Sequence, residues 1–159
     1  MAGVSIRNFT RRRTAPRAVF SAIAKEILPG WDISLAFVGP AKARALNVRL
    51  RRKSYTPNVL SYAVGKKNGE IIICLATATK QASTHNMDER TFILYLFIHG
   101  ALHIKGWTHS GRMEKCERML LAKFAKSAGR LLPNVTTHRN RHRHRHVPSK
   151  NGRRRRTLR

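Results

Sequence analysis

Acidic residues are scarce in this chain. It has 7 Asp and Glu residues among 159, against 33 Lys and Arg residues, so its formal net charge is +26 at pH 7. A protein with so few carboxylates attracts polyanions, and nucleic acid is the leading candidate for its partner. The 42% share of hydrophobic residues nevertheless suits a folded domain with a core and excludes a wholly disordered chain.

Cysteines and long apolar runs are also few. Cys74 and Cys116 are the two cysteines, which cannot build a disulfide framework and indicate a reducing compartment. The longest apolar run, near residues 92–98, is far shorter than the roughly 20 residues of a membrane-spanning helix. The amino-terminal residues lack the basic and apolar stretches of a secretory signal. We therefore expect a cytoplasmic protein that does not associate with membranes.

Much of the positive charge lies at the carboxyl terminus. Residues 134–159 contain 10 of the 33 Lys and Arg residues, 4 of the 8 histidines and no acidic residue. This low-complexity segment has few apolar side chains to bury, so we predict a disordered tail that lies along phosphate backbones. A solvated tail without a partner is the alternative, and metal binding by its histidines is disfavoured because the interleaved arginines repel cations. The folded domain is expected at residues 1–133.

Apolar periodicity and turn residues predict four strands and five helices in the remaining sequence. The strands are expected at residues 4–9, 32–38, 59–64 and 70–75, and the helices at 16–28, 41–50, 77–84, 90–105 and 112–128. The glycine-rich connection at 65–69 is typical of either a hairpin or a crossover. Strands and helices mixed in this order predict a single α+β domain.

Three histidines cluster in the segment His99-Gly-Ala-Leu-His103-Ile-Lys-Gly106-Trp-Thr-His109. His99 and His103 are four residues apart, so both imidazoles project from one face of the fourth helix. Gly106 can end that helix in a left-handed conformation and turn the chain so that His109 approaches the same point. Three imidazoles with a fourth position open are typical of a catalytic zinc site. The alternative is that these histidines bind no metal and only form hydrogen bonds within the domain, but it does not account for the third histidine and the glycine.

The same spacing occurs in the metzincin proteases, whose signature has a glutamate general base after the first histidine. That position is Gly100 here. Without this base, peptide hydrolysis lacks its water-activating group, and a protease is a distant alternative.

With glycine at that position, the motif resembles the YbeY family of metal-dependent endoribonucleases that mature ribosomal RNA. Further segments carry the resemblance: Leu46-Asn47, Arg51-x-Lys53, Asn58-Val-Leu-Ser-Tyr62, Gly69-Glu-Ile-Ile-Ile-Cys74 and Met113-x-x-x-Glu117. The similarity covers roughly residues 30–125. Two positions depart from the family pattern. Thr108 replaces the usual aspartate before the third histidine, and Leu50 replaces an aromatic residue before Arg51.

The resemblance implies a small mixed sheet packed with helices, in which a zincin-like helix carries metal ligands. One zinc ion per chain would be held by His99, His103 and His109. The implied function is a single-strand-type endoribonuclease, a hydrolase that matures the 3′ end of small-subunit rRNA and takes part in ribosome quality control. Its partners would be rRNA and the ribosomal small subunit, while the resemblance leaves the oligomeric state open.

The expected chemistry is hydrolysis of a phosphodiester by a water molecule that zinc activates. The ion would lower the pKa of bound water towards about 7 and polarise a phosphoryl oxygen. The family's functional arginine corresponds to Arg51, the candidate catalytic residue, and Lys53 is expected to contact a backbone phosphate. Asn58 and Ser61 are candidates for orienting RNA, although capping or turn hydrogen bonds would explain these two residues equally well.

A second class of function remains open. The chain could be a non-catalytic RNA-binding ribosome assembly factor that a metal ion stabilises. Both classes predict affinity for zinc and RNA. They differ in the effect of Arg51→Ala, which should abolish turnover in an enzyme but should only slightly weaken RNA binding by an assembly factor.

Overall fold

The structure is a computed structural model that describes residues 3–130. Helices and strands alternate along the first half of the chain, and helices dominate the second half. The elements are β1 (Val4–Asn8), α1 (Arg17–Ile27), β2 (Asp32–Val38), α2 (Pro40–Arg51), β3 (Val59–Gly65), β4 (Asn68–Cys74), α3 (Leu75–Ala82), a 3₁₀ turn (Ser83–His85), α4 (Glu89–Ile104) and α5 (Gly111–Arg130). These bounds confirm the predicted α+β class.

The four strands form one mixed sheet in the order β1-β2-β4-β3. β1 pairs with β2, and β2 pairs with β4, in parallel, whereas β3 and β4 are antiparallel. The connection at 65–69 is therefore a hairpin. Its turn residues are Lys66 and Lys67, and Lys67 adopts a left-handed conformation with φ of 60°. This hairpin makes β3 an edge strand.

Helix α4 lies at the centre of the main core and packs against β3, β4, α1, α3 and α5. Because neighbours surround it, apolar side chains are buried on several of its faces. These are Phe92, Ile93, Leu94, Leu96, Phe97, Ile98, Ala101, Leu102 and Ile104. Asp88 caps the start of the helix, where its carboxylate accepts a hydrogen bond from the Thr91 N–H at 2.9 Å. A central, capped helix is a rigid support for the histidines near its end.

The opposite face of the sheet carries a smaller apolar cluster. It consists of Val38, Ala43, Leu60, Ile72 and Cys74, with Ala43 supplied by α2. Cys74 is buried within it, and buried cysteines usually behave as small apolar side chains. Helix α2 is thereby held against β4.

Two differences from the sequence-based expectation concern boundaries. The third helix starts at Leu75, directly after β4, and its predicted final turn is the separate 3₁₀ turn.

Within the described residues, no helix is both long enough and apolar enough to cross a membrane. The predicted tail at residues 134–159 lies outside the described residues, as do the last residues of the predicted domain at 1–133.

Candidate metal centre and cleft

The end of helix α4 brings the three histidines together. The Gly106 N–H donates to the carbonyl of His103, and the Trp107 N–H donates to that of Leu102, at 2.9 and 3.0 Å. This pattern is a Schellman motif, and Gly106 occupies its left-handed position with φ of 94°. The chain therefore turns back over the last turn of the helix and carries His109 towards the two helical histidines.

The three imidazoles form a compact group. One ring nitrogen from each of His99, His103 and His109 lies within 4.8 Å of the others. His99 and His103 are partly buried, whereas His109 is exposed. The group is thus anchored in the domain on one side and open to solvent on the other.

Hydrogen bonds fix the inner two imidazoles. His99 Nδ1 lies 2.7 Å from Glu117 Oε1, and His103 Nδ1 lies 2.8 Å from the carbonyl oxygen of Trp107. A carboxylate and a carbonyl both accept hydrogen bonds, so each neutral imidazole carries its proton on Nδ1. Its Nε2 then presents a lone pair. Among the described residues, no side chain or backbone group hydrogen-bonds the His109 ring, in keeping with Thr108 standing where a carboxylate was expected.

This protonation pattern suits a bound cation. His99 Nε2 and His103 Nε2 face each other at 3.0 Å, and the Nδ1 hydrogen bonds leave no proton on either atom. Two lone pairs at this distance repel each other, and a metal ion between them removes the repulsion. Neutral imidazoles whose second nitrogen donates to a carboxylate or carbonyl are the usual metal-ligating form of histidine. The residues present therefore fit a metal ion.

Burial also favours the neutral form of one ligand. It lowers the pKa of His103, and the neighbouring imidazoles of His99 and His109 lower it further, although the Trp107 carbonyl and Glu117 oppose the shift. The neutral imidazole, which is the form that binds metal, therefore persists to lower pH than in a solvated histidine.

Gly100 explains why the metzincin glutamate has no counterpart here. A Cβ atom at this position would lie 3.2 Å from Ser61 Cβ and 3.4 Å from Ile71 Cγ2. The position therefore faces strands β3 and β4 and has no room for a larger side chain. Residue 100 serves close packing between the helix and the sheet, so a catalytic base from this position is excluded.

The histidines open into a cleft of about 780 Å³ between the end of α2, strand β3 and helix α4. Arg51, Asn58 and Ser61 also line it, so it holds six of the seven residues that the sequence suggested. Lys53 is exposed and is not among the lining residues. No Asp or Glu is among the described residues that line the cleft, so no negative charge on its walls repels an anionic ligand.

Two of the predicted polar residues differ in their surroundings. The Asn58 amide donates to Gln81 Oε1 at 2.7 Å, so helix α3 holds this side chain against the cleft wall. Ser61 lies where Gly100 approaches β3 most closely. Gln81, which also lines the cleft, had no role in the sequence-based prediction.

Glu117 and Tyr62 are further residues whose roles the sequence reasoning missed. Glu117 is 5% exposed and belongs to the buried face of α5 with Met113, Leu120 and Phe124, so a lone acid within that apolar stripe was the available signal. The Tyr62 hydroxyl donates a short hydrogen bond to Glu70. Burial, followed by this hydrogen bond and the Glu70 charge, raises the pKa of Tyr62 to about 12. Tyr62 therefore keeps its proton at neutral pH and cannot act as a base.

Comparison with known proteins places these features in one family. The sequence model of the family described as Endoribonuclease YbeY matches residues 5–125. Endoribonuclease YbeY of Burkholderia lata is 30% identical over 125 residues, which span 70% of this chain and 73% of that protein. The protein of the same name from Solibacter usitatus is 32% identical over 124 residues, or 76% of this chain and 84% of its own.

A solved structure supports the fold independently. A solution structure from Thermotoga maritima superposes with a TM-score of 0.61 at 18% identity, covering 86% of this chain and 100% of that one. At this identity the likeness concerns the fold alone. The family model, by contrast, spans most of the chain and includes the three histidines, so the chain belongs to the endoribonuclease YbeY family.

Proposed function

We propose that this chain is a zinc-dependent endoribonuclease that cleaves single-stranded RNA, with the 3′ end of small-subunit rRNA as its substrate. Membership of the family supports the endoribonuclease role. The observation that carries the proposal is the cleft. It is lined by Arg51 and by three imidazoles that could hold a metal ion, and its described lining residues include no carboxylate.

His99, His103 and His109 would hold one zinc ion through their ring nitrogens, and imidazole donors suit zinc among the biological metals. When bound, zinc supplies Lewis acidity for a phosphoryl oxygen and lowers the pKa of a coordinated water molecule. Glu117 and the Trp107 carbonyl hold two of these ligands in the required tautomer.

Arg51 is the group of this chain best suited to the phosphate itself. It is exposed at the end of α2 and lines the cleft together with the histidines. Its planar guanidinium can donate two parallel hydrogen bonds to phosphate oxygens, and these bonds strengthen as negative charge develops during hydrolysis. We therefore assign Arg51 the stabilisation of that charge.

Asn58 and Ser61 would orient the RNA along the wall formed by β3. The Asn58 amide uses one of its two N–H donors on Gln81 Oε1, so its carbonyl oxygen and its second N–H are available to a ribose hydroxyl or a base. Lys53, outside the cleft, would contact a phosphate farther along the strand. The basic segment at 134–159 would add affinity for the ribosomal small subunit, consistent with action in ribosome quality control in the cytoplasm.

The test is cleavage of an end-labelled precursor of the small-subunit rRNA 3′ end by identically purified variants. We expect His103→Ala to abolish cleavage, and Arg51→Ala to lower kcat by about 10²- to 10³-fold, as loss of a single transition-state donor does. Lys25→Ala, which removes an exposed positive charge on α1, should cleave like the wild type.

Two results contradict the proposal. If all variants cleave alike, the activity belongs to a contaminating ribonuclease. If the wild type binds the RNA without cleaving it, and Arg51→Ala weakens binding only slightly, the chain is a metal-stabilised RNA-binding assembly factor.

A further inference from the structure

Tyr55 is an aromatic side chain exposed at the cleft. It is 52% exposed and lines the cleft that contains the three histidines and Arg51. Leu50, which is 45% exposed, lines the same cleft. Four other large apolar side chains of the described residues are similarly exposed, but none of them lines this cleft. Two neighbouring apolar side chains within a polar cleft suit a ligand with an apolar face.

Two side chains of helix α2 hold the backbone that carries Tyr55. Asn47 is fully buried, and its Nδ2 donates to the Tyr55 carbonyl oxygen at 2.9 Å. Arg44 Nε donates to the carbonyl oxygen of the adjacent Ser54 at 2.7 Å. Both donors belong to α2, so the helix that ends with Arg51 also anchors the following loop.

A fixed backbone reduces the entropy lost when the tyrosine ring binds a ligand. The Asn47 side chain is fully buried, so solvent competes little for the hydrogen bond that its amide donates to the Tyr55 carbonyl oxygen. This contact holds the loop that presents Tyr55.

We propose that Tyr55 is a stacking platform for one unpaired nucleobase of the RNA, at a subsite next to Arg51. The subsite rests on the proposed function for the identity of its ligand. Arg51 lines the cleft and would bind the phosphate of a nucleotide. The Tyr55 ring offers a flat face for the attached base, and Leu50 adds apolar surface beside it. The absence of acidic residues between Asp32 and Glu70 keeps this part of the chain favourable for a polyanion. A base within a duplex cannot reach the ring, so the subsite selects single-stranded nucleotides.

The test measures binding rather than cleavage. Short single-stranded oligoribonucleotides carry a fluorescent label, and in a matched series each nucleotide in turn lacks its base. Binding to the full chain is followed by fluorescence anisotropy at low temperature, and a gel checks that the ligands remain intact. In the wild type, removal of one particular base should weaken binding by about 5- to 150-fold, the usual contribution of a stacked base.

Tyr55→Ala should remove that position-specific loss, so that intact and base-lacking ligands bind it alike. Tyr55→Phe retains the aromatic face and should keep the loss. Phe9→Ala is the matched control, because Phe9 is 56% exposed, directly follows β1 at the edge of the sheet opposite β3, and does not line the cleft. It should behave like the wild type.

A position-specific loss that persists in Tyr55→Ala overturns the inference, and so does a wild-type series without any such position. These outcomes are separate from the cleavage test. A Tyr55-dependent binding profile with no cleavage supports the subsite and contradicts the proposed hydrolysis, whereas cleavage with a Tyr55-independent profile does the reverse.

Discussion

Glu117→Gln tests whether the buried carboxylate tunes the metal centre. Glu117 is 5% exposed, and its Oε1 lies 2.7 Å from His99 Nδ1, so solvent screens this contact weakly. Glutamine has nearly the same shape and can accept the same hydrogen bond, but it has no charge. A hydrogen bond to a charged group contributes about 1.5–3 kcal/mol, and a neutral one about 0.5–1.5 kcal/mol.

The difference, about 1–1.5 kcal/mol, corresponds to roughly a tenfold loss of metal affinity. Loss of such an outer partner in other metal sites costs about 10- to 100-fold. We therefore expect Glu117→Gln to bind zinc about tenfold more weakly than the wild type, and Glu117→Ala to lie nearer the hundredfold end. At saturating zinc, a tenfold weaker site also reduces the stabilisation by bound ion by about 1.4 kcal/mol.

The assay is competition for zinc with a fluorescent chelator, together with thermal denaturation with and without added zinc. Glu114→Gln provides the matched control, because this residue is exposed on the same helix, one turn earlier. It removes the same charge without touching the His99 hydrogen bond. If Glu117→Gln and Glu114→Gln bind zinc equally tightly, the carboxylate does not support the ligand, and the tautomer argument for His99 fails.

Three further substitutions test the supports of the site. Gly100→Ala places a Cβ atom 3.2 Å from that of Ser61, which can move away only if strand β3 moves with it. Overpacking costs about 1–3 kcal/mol and the gain in helix propensity is about 1 kcal/mol, so urea denaturation should show a net loss of up to about 2 kcal/mol, and an increase in stability would contradict the packing. Gly106→Ala imposes φ of 94° on an alanine, so we expect the free energy of unfolding to fall by about 1–2 kcal/mol and zinc to bind more weakly. Unchanged zinc affinity would show that the position of His109 does not depend on this turn. Asp88→Ala should cost about 1 kcal/mol near neutral pH through the lost cap. Burial opposes ionisation of Asp88, but hydrogen bonds from Thr91 and backbone N–H groups outweigh it and lower the pKa of Asp88. The ionised cap is therefore fully stabilising above the pKa of aspartate in the unfolded chain. In thermal denaturation, the difference in stability between the wild type and Asp88→Ala should shrink as the pH falls through the folded-state pKa.

The elements could be predicted because their signals are local. The apolar spacing of α1 and the turn at Lys66 and Lys67 each depend on a few neighbouring residues. The strand order could not be read in this way, since parallel pairing of β2 with β4 joins residues that are far apart in sequence. Periodicity also gave no orientation for α4, because a helix surrounded by neighbours buries apolar side chains on several faces.

The same distinction separates the histidines from the groups that support them. His99 and His103 lie one helical turn apart and the Schellman turn after the helix leads to His109, so local geometry brings the three together. Glu117 meets His99 only because α5 packs against α4, and Asn47 reaches the Tyr55 carbonyl only because α2 lies beneath the loop. Glu117 was visible in the sequence as a lone acid within an apolar stripe, whereas Asn47 lies in a helix rich in polar residues and carried no such signal. In neither case was the partner visible. A polar residue within the apolar stripe of a helix next to a recognisable motif is therefore a place to look for a group that tunes that motif, and the Glu117→Gln measurement asks whether this support acts on metal affinity.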